Sequence, residues 1–285
     1  MRSADGQKDP TMRLLRELQT EEGRAREGLF VAEGEELTRR AFDYGAEVVG
    51  LVISDRLAPT PRGIALAEEA EAAGAPVCAA SAGLIGKMLG AKPPPDCAAV
   101  VRRKLASLAE VLGAECPLVI MVEHGENADN LGMLLRSADA AGVDGAVLTA
   151  GTTDPFARKV VRASRGAVFS VPVCIRPDAS EAIAFARGML RDRRVPKHSG
   201  CGGRGSEAVN VVAASARAET AYTDADLTGP VMLVVGNEHT GISDAVRDAS
   251  DAVVRIPMRG RVNSLNIAAA ATVLLYEALR QRGIG

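Results

Sequence analysis

Residues able to do chemistry gather at three points of this chain, each where an apolar run gives way to a loop or helix. The run Val231–Val235 leads into Gly236-Asn237-Glu238-His239-Thr240-Gly241. The run Ala252–Ile256 leads into Pro257-Met258-Arg259-Gly260, and Ser264-Leu265-Asn266 then opens a long apolar stretch. The run Pro117–Glu123 precedes Asn130, Gly132 and Arg136. A carboxylate such as Glu238 can accept a proton or orient a donor. Asn130, Ser264 and Asn266 can donate and accept hydrogen bonds, and Arg136 can hold an anion. Taken singly, each has an ordinary explanation: Asn130 and Ser264 as helix caps, Glu238 as a turn carboxylate, Arg136 as a solvated cation. What those explanations leave out is that all three groups lie at strand-to-helix junctions. In an open α/β sheet the crevice beyond the strand ends is where ligands bind.

The elements that must position them follow from pattern. Residues 1–11 read as a disordered tail and Met12–Gln19 as a short amphipathic helix. Glu21–Gly28 reads as a charged turn, followed by a strand at Leu29–Val31. A helix over Glu33–Tyr44, a strand over Glu47–Ser54, a helix over Arg62–Ala73, a strand over Pro76–Ala80, a short helix over Ala82–Leu89 and a strand over Ala98–Arg102 complete a small α/β domain, residues 12–103. Residues 104–116 read as a linker. A second domain, 117–285, starts at Pro117–Glu123, apolar enough to be buried on both faces of a parallel sheet. It continues with a helix at Asn130–Ala141, a strand at Gly145–Thr149 and a helix at Pro155–Ser164. A strand at Val168–Val173, a helix at Ser180–Leu190, a strand at Val209–Ala213 and the C-terminal elements follow. Repeated strand-then-helix units predict a mostly parallel sheet with helices on both faces.

Composition bounds the function. The chain has 285 residues, 47% hydrophobic and 25% charged, as in ordinary globular proteins. No apolar run reaches the roughly 20 residues of a membrane helix, and the N-terminus reads as no secretory signal. The five cysteines are odd in number, scattered and never in CxxC, which speaks against a disulfide framework or a zinc site and fits a reducing cytoplasm. Net charge is −2, yet residues 156–205 hold 11 basic and three acidic residues. Such a segment suits a polyanion at one face as well as it suits a solvated surface. Gly200-Cys201-Gly202-Gly203-Arg204-Gly205 matches GxGxxG but follows no strand and opens no helix, so it is rejected as a dinucleotide fingerprint, and with it a nicotinamide oxidoreductase.

Three ordered segments, N-x-G-x-x-x-R-S-A from Asn130, V-V-G-N-E-x-x-G-I-S from Val234 and I-P-M-x-G-x-x-x-S-L-N-x-A-x-A from Ile256, resemble the motifs of the SpoU (TrmH-like) RNA 2′-O-ribose methyltransferases of the SPOUT superfamily. Lys159–Phe169 is similar to the same family, and Gly23–Leu37 resembles the ribosomal-protein-like RNA-binding domain that precedes its catalytic domain in many rRNA-directed members. The stretch RASRGAVFSVP is similar to actinomycete antibiotic-resistance members of the avilamycin and thiostrepton type. The resemblance implies a C-terminal trefoil-knotted α/β domain, S-adenosylmethionine as cofactor, a homodimer through that domain, and no metal or membrane. It implies cofactor contacts at Gly236, Ile256, Leu265 and Ala214, and functional polar roles for Asn130, Arg136, Glu238, Ser264 and Asn266. The implied reaction is methylation of a ribose 2′-hydroxyl in ribosomal RNA, 23S rRNA foremost, with drug resistance as one outcome. A tRNA substrate and a non-catalytic ribosome-assembly role stay open. So does Arg136 as base or phosphate clamp, since a guanidinium with a pKa above ~12 is a poor base. The chain departs from the motif at Asn127 and Ala128, where the family carries an acid and a proline. Residues Arg191–Glu207 are longer and more basic than the pattern.

Overall fold

The computed structural model describes residues 1–176, 178–191 and 209–284. In chain order the elements are β1 (Arg2–Ser3), α1 (Pro10–Glu17), α2 (Glu21–Glu27), β2 (Leu29–Glu33), α3 (Glu35–Asp43), β3 (Val48–Ser54), α4 (Pro61–Ala72), β4 (Val77–Ala80), α5 (Ala82–Leu89) and β5 (Cys97–Arg102). Then come α6 (Leu108–Val111), β6 (Leu118–Val122), α7 (Ala128–Ala140), β7 (Gly145–Thr149), α8 (Arg158–Ala163), α9 (Ala167–Ser170), β8 (Val173–Arg176) and α10 (Ala179–Arg191). The chain closes with β9 (Asn210–Ala214), β10 (Thr220–Ala221), β11 (Val231–Val235), α11 (Asp244–Ala249), β12 (Ala252–Arg255) and α12 (Ile267–Gln281). They form two compact units, 1–103 with 154–170, and 104–153 with 171–285.

The first unit holds a five-stranded sheet in the order β1-β4-β3-β5-β2. β5 runs antiparallel to β2 and β3, while β4 is parallel to β1 and β3. The expected disordered tail is corrected here. Arg2 and Ser3 pair with Cys78 and Ala79 as a fifth strand. Asp9, buried, caps α1 through Thr11 N at 2.8 Å and takes the Arg2 guanidinium at 3.0 Å. A pattern search misses a two-residue strand because its signal is a partner, not a sequence. The charged turn at Glu21–Gly28 is also a helix, capped by Thr20 and ended by Gly28 in the left-handed region at φ 65°.

Residues 154–170 leave the second half of the sequence and belong to this first unit. Phe156, Val161 and Val168 join its core with Phe30, and Phe169 packs against that core. The Phe30 ring lies 4.9 Å from Phe156 and 5.9 Å from Phe169. Asp154 and Arg24, each 5% exposed at the side chain, form a buried ion pair at 2.6 Å. Helix α8 begins at Arg158 rather than Pro155. The expected strand at Val168–Val173 is short helix α9 followed by β8, because Val168 is drawn into the first unit's core while Val173 begins the second unit's edge strand.

The second unit holds seven strands, all paired in parallel, in the order β10-β12-β9-β11-β6-β7-β8. β6, β7 and β11 are buried throughout, as expected of strands covered on both faces. Residues 104–116, expected as a linker, contain α6, closed by a Ser107–Glu110 capping box, and Leu108, Val111 and Leu112 lie in this unit's core. Cys78, Cys97 and Cys174 are buried free thiols. Cys116 is disulfide-bonded, a departure from the cysteine reading above. The glycine-rich match at 200–205 and all of Arg191–Glu207 after its first residue lie outside the described residues. Among the described residues no helix is long and apolar enough to cross a membrane, and no group of side chains could hold a metal ion.

Candidate active site

The central strands β6, β9 and β11 and the edge-ward β12 run in one direction, so their C-terminal ends open onto a common side. The loop after β11 is shaped by Asn237, which is buried. Its backbone exchanges hydrogen bonds with Gly241 at 3.1 and 2.9 Å, and its Oδ1 accepts from His239 N at 2.8 Å and Thr240 N at 3.2 Å. Its Nδ2 donates to the His124 carbonyl at 2.9 Å. A Cβ at Gly236 would stand 2.3 Å from the Gly241 carbonyl carbon, so only glycine permits this close return of the chain. Beyond the loop, buried Glu123 at the end of β6 accepts from Ser243 N at 2.8 Å and Ser243 Oγ at 2.7 Å. Ser243 in turn caps α11.

These loops enclose a cavity of about 500 Å³. Ala214, Gly236, Ile256 and Leu265, the four residues expected to contact a cofactor, all line it. So do Glu238 and Ser264, together with apolar Val235, Met258 and Ile267 and cationic Arg217.

Beside Glu238 stands a hydrogen-bonded chain drawn from all three motifs. Asn130 Nδ2 donates to Glu238 Oε1 at 2.7 Å, and Asn266 Nδ2 donates to Asn130 Oδ1 at 2.7 Å. Residues 108 and 136 positions apart in sequence are thus joined through one buried asparagine. The expected cap roles shift to allow it. Asn127, not Asn130, caps α7, accepting from Asn130 N at 3.0 Å. An asparagine Oδ1 accepts that bond as a carboxylate would, so the departure at Asn127 keeps the cap. Helix α12 is likewise capped by Asn266, through Ala268 N at 2.8 Å, and not by Ser264.

Arg136 is not brought into this group. It lies on α7, exposed, and is absent from the cavity lining. Sequence reasoning missed Asn237, although an Asn after a strand-ending glycine carries a turn signal. It also missed Glu123, whose partner 120 residues away leaves no local trace.

The model of the SpoU rRNA Methylase family matches residues 117–191 and 203–276, just over half of the chain and all three motifs. The chain belongs to that family. A curated family relative, the 23S rRNA (uridine(2479)-2′-O)-methyltransferase of Streptomyces viridochromogenes, is 33% identical over 189 residues. The match covers 66% of this chain and 61% of that protein, so the chain spans about three-fifths of its length. Among solved SpoU structures, AviRb of S. viridochromogenes in complex with AdoMet superposes with a TM-score of 0.82 at 28% identity, covering 98% of this chain and 100% of that one. An AdoMet-bound rRNA methyltransferase from Sinorhizobium meliloti gives 0.81 at 27% identity, with 98% and 97% covered. Both likenesses span the first unit as well as the SpoU region.

Proposed function

We propose that this protein is an S-adenosylmethionine-dependent methyltransferase acting on a ribose 2′-hydroxyl of ribosomal RNA, 23S rRNA foremost. The observation that carries the reading is the Glu238–Asn130–Asn266 chain beside a cavity lined by Ala214, Gly236, Ile256 and Leu265. The cavity fits the cofactor in volume and character: ligand sites commonly enclose 300–1,000 Å³ with apolar walls and few polar groups. Ile256, Met258, Leu265 and Ile267 offer apolar surface to a flat base. The bare backbone at Gly236 allows close approach of a ligand's polar edge. When bound there, S-adenosylmethionine supplies an electrophilic methyl group on a sulfonium.

The chain's own residues have the task of bringing a weak nucleophile into line and taking its proton. Asn130 fixes the Glu238 carboxylate through Oε1, and no hydrogen bond reaches the other oxygen among the described residues. That oxygen is free to accept from a ribose hydroxyl. Asn266 holds Asn130 in register, so a substrate group meets a preorganised polar edge rather than mobile side chains. Arg136 has no ion-pair partner among the described residues, and its permanent charge suits a phosphate clamp better than a base.

The same reading includes the trefoil knot and a homodimer of the second unit. Strand order and the meeting of the 236–241 and 256–266 loops at one cavity support the knot. The dimer is supported by Met133 and Tyr276, 44% and 50% exposed on the mutually packed helices α7 and α12. Arg136 follows Met133 by three residues on α7, so a dimer through this face sets Arg136 at the interface. Resistance to a ribosome-directed antibiotic would follow if the methylated ribose lies in a drug site. Calorimetric titration with S-adenosylmethionine tests the cavity: one site per chain is expected. Digestion of methylated RNA should then yield a nucleotide resistant to alkaline cleavage. Binding without any RNA product would favour the ribosome-assembly reading.

A further inference from the structure

A second concavity lies in the first unit, far in sequence from the SpoU motifs and lined by Gln7, Lys8, Arg13, Arg16 and Glu17. It is built by two neighbouring segments, the 3₁₀ turn Gly6–Lys8 and helix α1. α1 buries Met12 and Leu15 and turns Arg13, Arg16 and Glu17 outward on the opposite side. Arg13 and Arg16 are three residues apart, hence neighbours on the helix surface. Lys8 is held beside them because the next residue, Asp9, is anchored twice, as the α1 cap and in the Arg2 ion pair.

Two of the nearby acids are committed elsewhere. Asp9 is taken by Arg2, and Glu17 accepts from Arg26 at 2.8 Å. Lys8, Arg13 and Arg16 have no ion-pair partner among the described residues. Three like charges held around one concave surface repel one another unless an anion lies between them. Elsewhere in this unit Arg24, Arg56, Arg62 and Arg102 are each paired with a carboxylate.

We propose that Lys8, Arg13 and Arg16 form a phosphate-binding surface that holds the sugar–phosphate backbone of the substrate RNA. It rests on the RNA-directed reading above and adds an anchoring site that involves no SpoU motif. Such contacts position a nucleic acid without reading its sequence, and each phosphate neutralised releases counterions and steepens the salt dependence of binding.

The test compares the full chain carrying Lys8→Gln, Arg13→Gln and Arg16→Gln with the wild type and with a control triple, Arg56→Gln, Arg62→Gln and Arg102→Gln. The control loses the same charge from the same unit at ion-paired sites. Binding to unmodified in vitro transcribed 23S rRNA and to bulk tRNA is measured across salt concentrations, and S-adenosylmethionine binding by calorimetry. All six positions are exposed, so thermal melting should report a folded protein in every case. The surface triple should bind RNA at least about tenfold more weakly near 0.1 M salt. Its slope of log affinity against log salt should be shallower by about 2, and its cofactor affinity unchanged. An unchanged slope, or an equal loss in the control triple, overturns the proposal while leaving the methyltransferase reading intact. If the wild type binds neither rRNA nor tRNA, the functional reading fails and the surface fails with it.

Discussion

Asn130 uses both ends of its amide, donating to Glu238 and accepting from Asn266. Asn130→Asp replaces the donor with a second carboxylate against Glu238, and Asn130→Ala removes both bonds. Since Asn130 is absent from the cavity lining, cofactor affinity should change little while kcat falls about 10²-fold. That is the scale on which loss of positioning costs rate. Stopped-assay kinetics beside calorimetry separate the two. The identity of these side chains was legible in the sequence, through three ordered motifs. Their connections were not, because a hydrogen bond across 108 or 136 positions has no local periodicity. The caps at Asn127 and Asn266 were misjudged for a related reason: several Asn and Ser residues stand near each helix start, and only backbone geometry selects among them.

At the scale of elements, the loop after β11 owes its shape to Gly236 and to the Glu123–Ser243 contact. Gly236→Ala would press a methyl group onto the Gly241 backbone, which must shift. Overpacking of this kind costs about 1–3 kcal/mol, and cofactor affinity should fall at least about tenfold by calorimetry. Glu123→Ala leaves Ser243 without its buried acceptor and frees the start of α11. It should lower both melting temperature and cofactor affinity, whereas Glu123→Gln, which keeps one acceptor, should lose less. Strands β6, β7, β9 and β11 of this unit were readable as apolar runs, whereas the strand expected at Val168–Val173 is β8 at Val173–Arg176 and β10 carries no apolar run. The two-residue strand β1 and the short helices α6 and α9 were not, since each is too short to show a period and is set by tertiary partners.

For the whole molecule, the sequence order of domains and the packing of chain segments part company at 154–170. The boundary at 117 follows from the apolar run that begins there, but Asp154, Phe156 and Val168 are recruited by Arg24 and Phe30 into the first unit. Asp154→Ala strands a buried guanidinium and should cost about 3–5 kcal/mol, read by denaturant unfolding of the full chain. Acid should act at the N-terminal edge. The Arg2 guanidinium holds the Asp9 carboxyl well below the usual carboxylate range. A carboxyl depressed on folding contributes stability above its unfolded value of about 4, and loses it as pH falls towards the folded one. Arg2→Gln should therefore melt below the wild type at pH 7, with the gap narrowing as pH drops below about 4.

The measurement that bears most directly on the central claim is transfer of labelled methyl from S-adenosylmethionine to unmodified ribosomal RNA, with bulk tRNA in parallel and the Arg136→Ala protein as control. Label in rRNA, at a nucleotide resistant to alkaline cleavage and lost with Arg136→Ala, is the predicted result. Label confined to tRNA would contradict the substrate, and no label in either RNA despite cofactor binding would contradict the catalytic reading itself.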